Sequence, residues 1–140
     1  MQAAAAHPRL KKVAMERSRS DRGAAAVEFA LIVPLLLLLL LGVVEFGRVL
    51  NAQLQLSAAA RESVRVMAIQ KQPATAVGAA IAAAPNLRPL LTAGNIQVTP
   101  ASCGATSDVT VTITYSMDLL SGLFADAIPL TGRAVMRCGG

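Results

Sequence analysis

Residues 22–47 read RGAAAVEFALIVPLLLLLLLGVVEFG, and this stretch decides the fold because most of it is apolar enough to lie in lipid. It contains 16 consecutive residues without a charge, from Phe29 to Val44. The segment 24–47 adds small and apolar residues on either side. A helix of those 24 residues is roughly 36 Å long at about 1.5 Å per residue, enough to cross a hydrocarbon core of about 30 Å. We therefore expect a transmembrane helix over 24–47.

The positive charge of the chain is concentrated before this segment. Residues 1–22 carry six basic and two acidic side chains, a net charge of +4 out of +5 for the whole chain. After the segment, only Arg48 is basic within the first dozen residues. Because basic residues are retained on the cytoplasmic side, this asymmetry predicts a cytoplasmic N-terminus and an extracytoplasmic C-terminal part. The membrane topology accounts for the net positive charge of the chain. Because only 3% of the residues are aromatic, the chain is not expected to bind nucleic acid.

The segment 1–23 is expected to be a basic cytoplasmic leader, disordered over 1–21 because it shows no apolar periodicity. A cleaved secretory signal has the same order of parts and remains an alternative. Two features weigh against it. The apolar run is longer than the usual length of about 7–15 residues. The first small-x-small sequence, near Ser57–Ala60, lies too far beyond the run to serve as a cleavage site.

The remainder, 48–140, predicts a small extracytoplasmic domain that begins with a helical stalk over 48–70. Gln72-Pro73 is expected to end the stalk, since proline disfavours helix at the residue before it. The Ala-rich segment from Thr75 to Ala84 predicts a short second helix. The expected apolar stripe of the stalk recurs at helical spacing and consists of Phe46, Leu50, Leu54 and Ala58, resumed by Val64 and Met67.

From Asn95 onward the apolar period changes to two, which is typical of strands. Asn95–Thr99 and Asp108–Tyr115 alternate, and Thr131–Arg137 is a plausible third strand. The residues between them, Met117 to Pro129, are expected to form a loop with a possible short apolar helix. The fold class is therefore α+β: a single N-terminal transmembrane helix extends into a small extracytoplasmic domain, with a two- to three-stranded antiparallel sheet at about 95–138.

The two cysteines, Cys103 and Cys138, flank the predicted sheet in the part expected outside the membrane. Antiparallel neighbours bring such ends together, and outside the cytoplasm a disulfide is the expected state. Closing this loop would contribute roughly 3–4 kcal/mol by restricting the unfolded chain. A sheet this small buries little core, so the crosslink would matter for stability.

We find no catalytic constellation in the sequence. The only histidine, His7, lies in the predicted leader, which excludes a histidine-based triad or a zinc site with the two cysteines outside the membrane. No glycine-rich phosphate-binding loop is present. The outer carboxylates lack paired spacing and are expected to be solvated or capping; they are Glu62, Asp108, Asp118 and Asp126. The sequence therefore favours an assembly protein without catalytic residues, metal or cofactor.

The residues around Gly23 resemble the processing site of type IV pilin-like proteins, in particular the Flp pilins and pseudopilins of the tight adherence (Tad) system. A basic leader precedes Gly23, four small or apolar residues follow, and then come Glu28-Phe29 and the apolar run. In that family a membrane-embedded aspartyl prepilin peptidase cuts after the glycine on the cytoplasmic side. The resemblance implies cleavage between Gly23 and Ala24. Glu28 would then be the fifth mature residue, and Phe29 would stand where Flp pilins usually carry tyrosine.

Over residues 22–66 the chain looks like the TadE-like family of pilus-assembly proteins. Pro34, Gly47-Arg48 and the sequence AAARESVR at 58–65 carry this part of the resemblance. It implies a minor pilin or pseudopilin that helps to assemble Flp-type pili for surface adherence and biofilms. The implied partners are membrane lipid, the prepilin peptidase, other Tad pilins and pseudopilins, and inner-membrane platform proteins. The alternative is an uncleaved membrane-anchored extracytoplasmic accessory domain of a secretion system.

Glu28 has two interpretations. A carboxylate costs about 2.5–3.5 kcal/mol at the centre of a membrane helix and less near an interface, so Glu28 could simply reach headgroup water. Cleavage would instead create an α-ammonium at Ala24. In a helical bundle the Glu28 carboxylate of one subunit could then neutralise the Ala24 amine of its neighbour, since each charge is costly alone in low dielectric.

Overall fold

The computed structural model describes residues 11–104, 107–120, 122 and 126–139, with side chains described from residue 23 onward. The chain divides into two compact units, Met1–Gly42 and Val43–Gly140. The elements are helices α1 (Lys11–Gln70) and α2 (Pro73–Ala83), a 3₁₀ turn (Ala93–Asn95), and strands β1 (Ile96–Thr99), β2 (Asp108–Asp118) and β3 (Ala127–Arg137). The predicted α+β class, with a long apolar N-terminal helix and a small antiparallel sheet, is confirmed.

The first unit contains the apolar part of α1. Most of its large apolar side chains are exposed, from Leu31 at 74% to Ile32 at 45%. An 18-residue window has a mean hydropathy of 2.8 and no buried residue, so this helix is long and apolar enough to cross a membrane. A helix that is apolar on every side yet unburied within its own chain matches lipid surroundings. His7 and the rest of residues 1–10 lie outside the described residues.

The expectation of a disordered segment up to residue 21 is wrong for residues 11–21, because α1 begins at Lys11. Once a helix is nucleated, each further residue adds one hydrogen bond at little extra entropic cost. The segment 11–21 contains lysine, arginine, alanine, methionine and glutamate, which are all good helix formers. The missing apolar periodicity therefore did not indicate an irregular backbone in this segment.

In the second unit, α1 packs through a face of mostly small residues. The buried positions recur every three or four residues and comprise Ala52, Leu56, Ala59, Ala60, Ser63, Val64, Met67 and Ala68. The expected stripe is correct at Val64 and Met67. The expected stripe is wrong at the positions that precede Val64, since Phe46 is 65% and Leu54 71% exposed. Small side chains are buried here because they let the sheet approach the helix backbone closely.

The sheet has the strand order β1-β2-β3, and both pairs are antiparallel. The central strand β2 points its apolar side chains at the helices, with Val109, Val111 and Ile113 fully buried. Its threonines lie on the other face, as the alternation predicts. This period-two pattern fixes which face of the sheet covers the core.

The expected loop from Met117 to Pro129 is wrong at both ends. Strand β2 continues through Asp118, and β3 begins at Ala127. Ser116 pairs with Pro129 in this extension. Proline is tolerated there because β3 is an edge strand, where a missing backbone donor does not interrupt a second ladder. The predicted short helix over 121–129 is wrong at 127–129, which belong to β3, and residues 121 and 123–125 lie outside the described residues.

Helix α2 confirms the predicted short helix and packs against the stalk part of α1. It buries Ala76 and Ala80. The hydroxyl of Ser63, which is fully buried on α1, donates a hydrogen bond to the carbonyl oxygen of Ala76 at 2.7 Å. Because a buried hydroxyl without a partner is costly, this bond fixes the register of the two helices.

Candidate functional sites along the first helix

The predicted processing residues all lie within α1. Gly23 and Ala24 are exposed, and a side chain at Gly23 would meet no other group within 4 Å. Glu28 and Phe29 follow and are also exposed, Phe29 to 69%. Ala24 and Glu28 are four residues apart, so they share one helix face about 6 Å apart along the axis. Cleavage and charge pairing at these residues stay predictions.

The second Glu-Phe pair, Glu45-Phe46, lies in a different environment from the first. The Glu45 carboxylate accepts a hydrogen bond from the Arg48 guanidinium at 2.8 Å, since residues three apart on a helix are neighbours. Its other oxygen accepts the backbone N–H of Leu120. The Glu45 side chain is only 12% exposed. Glu45 therefore connects α1 to the segment after β2, a role that the sequence did not indicate.

The second unit also contains a cavity of about 450 Å³ next to Arg48. Helix α1 lines it with polar side chains one and two turns after Arg48, namely Asn51 and Gln55. The segment after α2 contributes Arg88, and β2 contributes Tyr115. The Gln55 amide nitrogen donates to the Asn51 side-chain oxygen at 2.5 Å. Gln55 Oε1 is buried and accepts no hydrogen bond from any residue that the structure describes.

Tyr115 closes one wall of this cavity. Its hydroxyl donates a hydrogen bond to the carbonyl oxygen of Pro89 at 2.8 Å, and the residue is 5% exposed. Burial raises the pKa of Tyr115 above its ordinary value, and the negative charge of Asp118 raises it further. The positive charges of Arg48 and Arg88 oppose that rise only in part. The phenol is thus neutral at physiological pH.

The cysteine pair is at disulfide distance. Cys103 and Cys138 are joined, with their Cα atoms 5.5 Å apart. Cys138 also donates its N–H to the carbonyl oxygen of Ser107 at 2.9 Å. The crosslink therefore fastens the end of β3 beside the start of β2. Among the described residues, no group of three or more His, Cys, Asp or Glu side chains is arranged to hold a metal ion.

Most of helix α1 matches a known protein family. The model of the TadE-like protein family matches residues 23–65. Over this segment the chain is similar to TadE-like proteins. The match confirms the resemblance inferred from Gly23, Glu28-Phe29 and AAARESVR. Neither a curated protein sequence nor a solved structure matches the chain.

TadE-like proteins are pseudopilin-like proteins associated with Tad pili, and the family is structural in character. The matched segment comprises the apolar part of α1 and most of the stalk, and it ends at Arg65. Beyond it lie α2, the sheet and the cavity.

Proposed function

We propose that this protein is a minor pilin or pseudopilin that is cut after Gly23 and takes part in assembling Flp-type (Tad) pili for surface adherence. The observation that carries the proposal is the position of the family match, which begins at residue 23 and continues through the apolar helix to residue 65. The match thus starts at the glycine of the proposed processing site. Before that glycine stands the basic leader that a cytoplasmic peptidase would remove.

An exposed apolar face on the stalk supports assembly with other helices. Phe46, Leu50 and Leu54 recur every four residues after the uncharged run, and they are 65%, 48% and 71% exposed. They lie on α1 away from the sheet, which covers Ala52 and Leu56 instead. In the proposed pilus this face packs against the same region of neighbouring pilin helices, because apolar side chains at such spacing form a helix–helix seam.

Glu28 supplies the electrostatic part of the proposal. Cleavage leaves an α-ammonium on Ala24, one helical turn before the carboxylate. Within a bundle of pilin helices, the Glu28 carboxylate of one subunit neutralises the Ala24 amine of the next. Each charge alone is expensive in a low-dielectric bundle, whereas the pair is tolerated, so this contact sets the axial register between subunits.

The topology follows from the distribution of lysine and arginine. The leader and the cleavage point are on the cytoplasmic side, and the disulfide-bonded domain is extracytoplasmic. The partners are the prepilin peptidase, other Tad pilins and pseudopilins, and the inner-membrane platform proteins. The activity is structural, and we assign no catalytic residue.

The decisive experiment determines the N-terminal residue of the protein recovered from membranes, with and without the prepilin peptidase. Intact mass together with terminal sequencing gives the answer. A start at Ala24 that requires the peptidase is the expected result. Gly23→Phe should leave the leader attached, because a bulky side chain there blocks cleavage. A chain that starts at Met1 in the presence of the peptidase contradicts the proposal and favours an uncleaved accessory domain.

A further inference from the structure

Strand β3 is an edge of the sheet, and alternate residues along it direct their backbone groups away from β2. The N–H of Cys138 donates to the carbonyl oxygen of Ser107, and the N–H of Leu119 donates to that of Asp126. Because hydrogen-bonded pairs alternate along an antiparallel ladder, the even-numbered residues of β3 bond to β2. The N–H and C=O groups of its odd-numbered residues therefore point outward, where the described part of the chain supplies no further strand.

Two positions in the first half of this outer edge are closed. Pro129 occupies an outward position and has no N–H to donate. The outward carbonyl oxygen of Thr131 accepts a hydrogen bond from the Gln53 amide on α1 at 2.9 Å. Natural edge strands use prolines and covering contacts of this kind to prevent pairing with other chains. The first half of the edge is thus protected.

The second half of the edge, residues 133–137, is open. Its outward residues Arg133, Val135 and Arg137 are exposed, and the apolar Val135 is exposed to 54%. In the part of the chain that the structure describes, no hydrogen bond from the outer side and no ion pair engages these three residues. They present their N–H and C=O groups at intervals of about 6.8 Å. The disulfide at Cys138 holds this end of β3, so the edge is ordered before a partner binds.

The two arginines of this open edge favour a partner of opposite charge. Arg133 lies opposite the uncharged Thr112 on β2, and Arg137 forms no ion pair with Asp108, its opposite neighbour. Residues directly opposite one another on paired strands attract when their charges differ and repel when they are alike. A strand that pairs here therefore gains from a carboxylate opposite each arginine and from an apolar side chain opposite Val135. These positions alternate along the partner strand, which gives the pattern acidic-x-apolar-x-acidic.

This pattern excludes the present chain as its own partner. An antiparallel pair of β3 strands that uses all of residues 133–137 places Arg133 of each copy opposite Arg137 of the other. Like charges directly opposite one another destabilise such a pair. The 8 acidic residues of the chain include no two that are four positions apart, so no other segment of the chain has the pattern. The segment that fits belongs to a different protein.

We propose that residues 133–137 of β3 bind an extended segment of another protein by antiparallel strand addition, and that this segment carries two carboxylates around an apolar residue. Backbone hydrogen bonds supply the affinity, and the two arginines and Val135 supply the selectivity. The bound segment extends the 3-stranded sheet by one strand. The proposal uses only the second unit, so it does not depend on cleavage after Gly23 or on pilus assembly.

The experiment uses a fluorescent peptide of the sequence Thr-Glu-Thr-Val-Thr-Glu-Thr. It is titrated against the full chain in a non-ionic detergent, and binding is followed by fluorescence anisotropy. When its valine lies opposite Val135, its glutamates lie opposite Arg133 and Arg137. We expect saturable binding. The peptide with lysine in place of both glutamates should bind about tenfold more weakly, because two attractions become repulsions.

Methylation of the peptide backbone separates strand addition from charge attraction, and it does so on the unmodified protein. A methyl group on the valine nitrogen removes a donor that faces β3 and should weaken binding about tenfold. A methyl group on the nitrogen of a threonine beside that valine faces away from β3 and should leave the affinity nearly unchanged. The two methylated peptides have the same composition and charge, so only the direction of the lost donor differs.

Two variants of the protein and a matched control test the edge itself. Val135→Pro removes the central outward N–H without removing a bond to β2, and it should abolish binding. Arg133→Gln should weaken the glutamate peptide about threefold, as expected for a well-placed exposed ion pair. Arg61→Gln makes the same change of net charge at an exposed position on α1 and should leave the affinity unchanged. The unfolding midpoint by circular dichroism verifies that each variant is folded.

Several outcomes overturn the proposal. One is the absence of saturable binding by the glutamate peptide, and another is equal affinity for the glutamate and lysine peptides. Equal affinity for the two methylated peptides overturns strand addition, and unchanged binding in Arg133→Gln overturns the selection by charge. A dimer of the full chain that Val135→Pro dissociates also overturns the proposal, since the edge would then pair with a second copy.

Discussion

Gly132 on β3 lies directly against Leu56 on α1. A Cβ atom added to Gly132 would be 2.5 Å from the Leu56 carbonyl oxygen and 2.8 Å from its carbonyl carbon. Both are backbone atoms, so no side-chain rotation can relieve the overlap. The absence of a side chain at Gly132 therefore sets how closely the sheet approaches the helix. Gln53 reinforces the contact by donating its amide N–H to the Thr131 carbonyl oxygen at 2.9 Å.

Gly132→Ala should destabilise the second unit by about 1–3 kcal/mol, the usual cost of overpacking a close contact. The measurement is the free energy of unfolding of the full chain in detergent, obtained from urea titration followed by circular dichroism. The matched control is Gly78→Ala in α2, where an added Cβ meets nothing within 4 Å. Alanine there should stabilise the protein by about 0.5–1 kcal/mol, because glycine is a poor helix former. Equal effects of the two substitutions would contradict the close approach.

Glu45→Gln should destabilise the protein by about 1–2 kcal/mol, because it replaces two charge-assisted contacts with neutral ones. The contacts are with the Arg48 guanidinium and the Leu120 N–H. The same urea titration measures the effect. Glu62→Gln is the control: Glu62 is exposed on the same helix, so its substitution should change stability by less than about 0.5 kcal/mol. If both variants were equally stable, Glu45 would be no more than a surface residue.

Tyr115 should ionise above the ordinary phenol value of 10.0, because burial and Asp118 disfavour its anion. It is the single tyrosine of the chain and no tryptophan is present, so ultraviolet absorbance of the phenolate reports it alone. The denatured chain should titrate near 10. A titration of the folded chain at or below the denatured one would contradict the burial of this phenol.

The raised pKa of Tyr115 also predicts how the stability of the protein depends on pH. Below the unfolded value of 10.0, Tyr115 is protonated in both states and its contribution to stability is complete. As the pH rises from 10.0 toward the higher folded pKa, the unfolded chain releases the proton first, and stability falls. Tyr115→Phe should remove this part of the alkaline loss. It also deletes the bond to Pro89, so the comparison concerns the slope with pH rather than the absolute stability.

The sequence predicted the sheet better than the helix packing. Strict alternation in β2 identifies Val109, Val111 and Ile113 as buried, because a strand has only two faces and one must cover the core. A helix offers many faces, and the more apolar one at Phe46 and Leu54 stays exposed. Alanines cover the core instead, and their apolar signal is weak although their size permits close approach.

The candidate sites also differ in whether the sequence predicts them: contacts between near neighbours in the chain are predictable, and contacts between distant residues are not. The Glu45–Arg48 pair follows from spacing alone, since residues three apart on a helix are neighbours. The bond from Leu120 to Glu45 joins residues 75 positions apart. It depends on where β2 ends, which the sequence placed too early. The cavity at Gln55 and Arg88 was not predicted for the same reason, because it forms only when three separate elements meet.

Glu28→Ala should leave membrane insertion and cleavage after Gly23 intact but reduce piliation strongly, because the Ala24 ammonium would lack its partner in the bundle. Insertion depends on the apolar run and the basic leader, which the substitution does not touch. Pili are counted by electron microscopy, and the N-terminus of the membrane-bound chain is sequenced in the same cells. Phe29→Tyr is the matched control, since it alters the adjacent residue without changing charge and should assemble normally. Normal piliation by Glu28→Ala would refute charge pairing and leave Glu28 as an interfacial residue in contact with headgroup water.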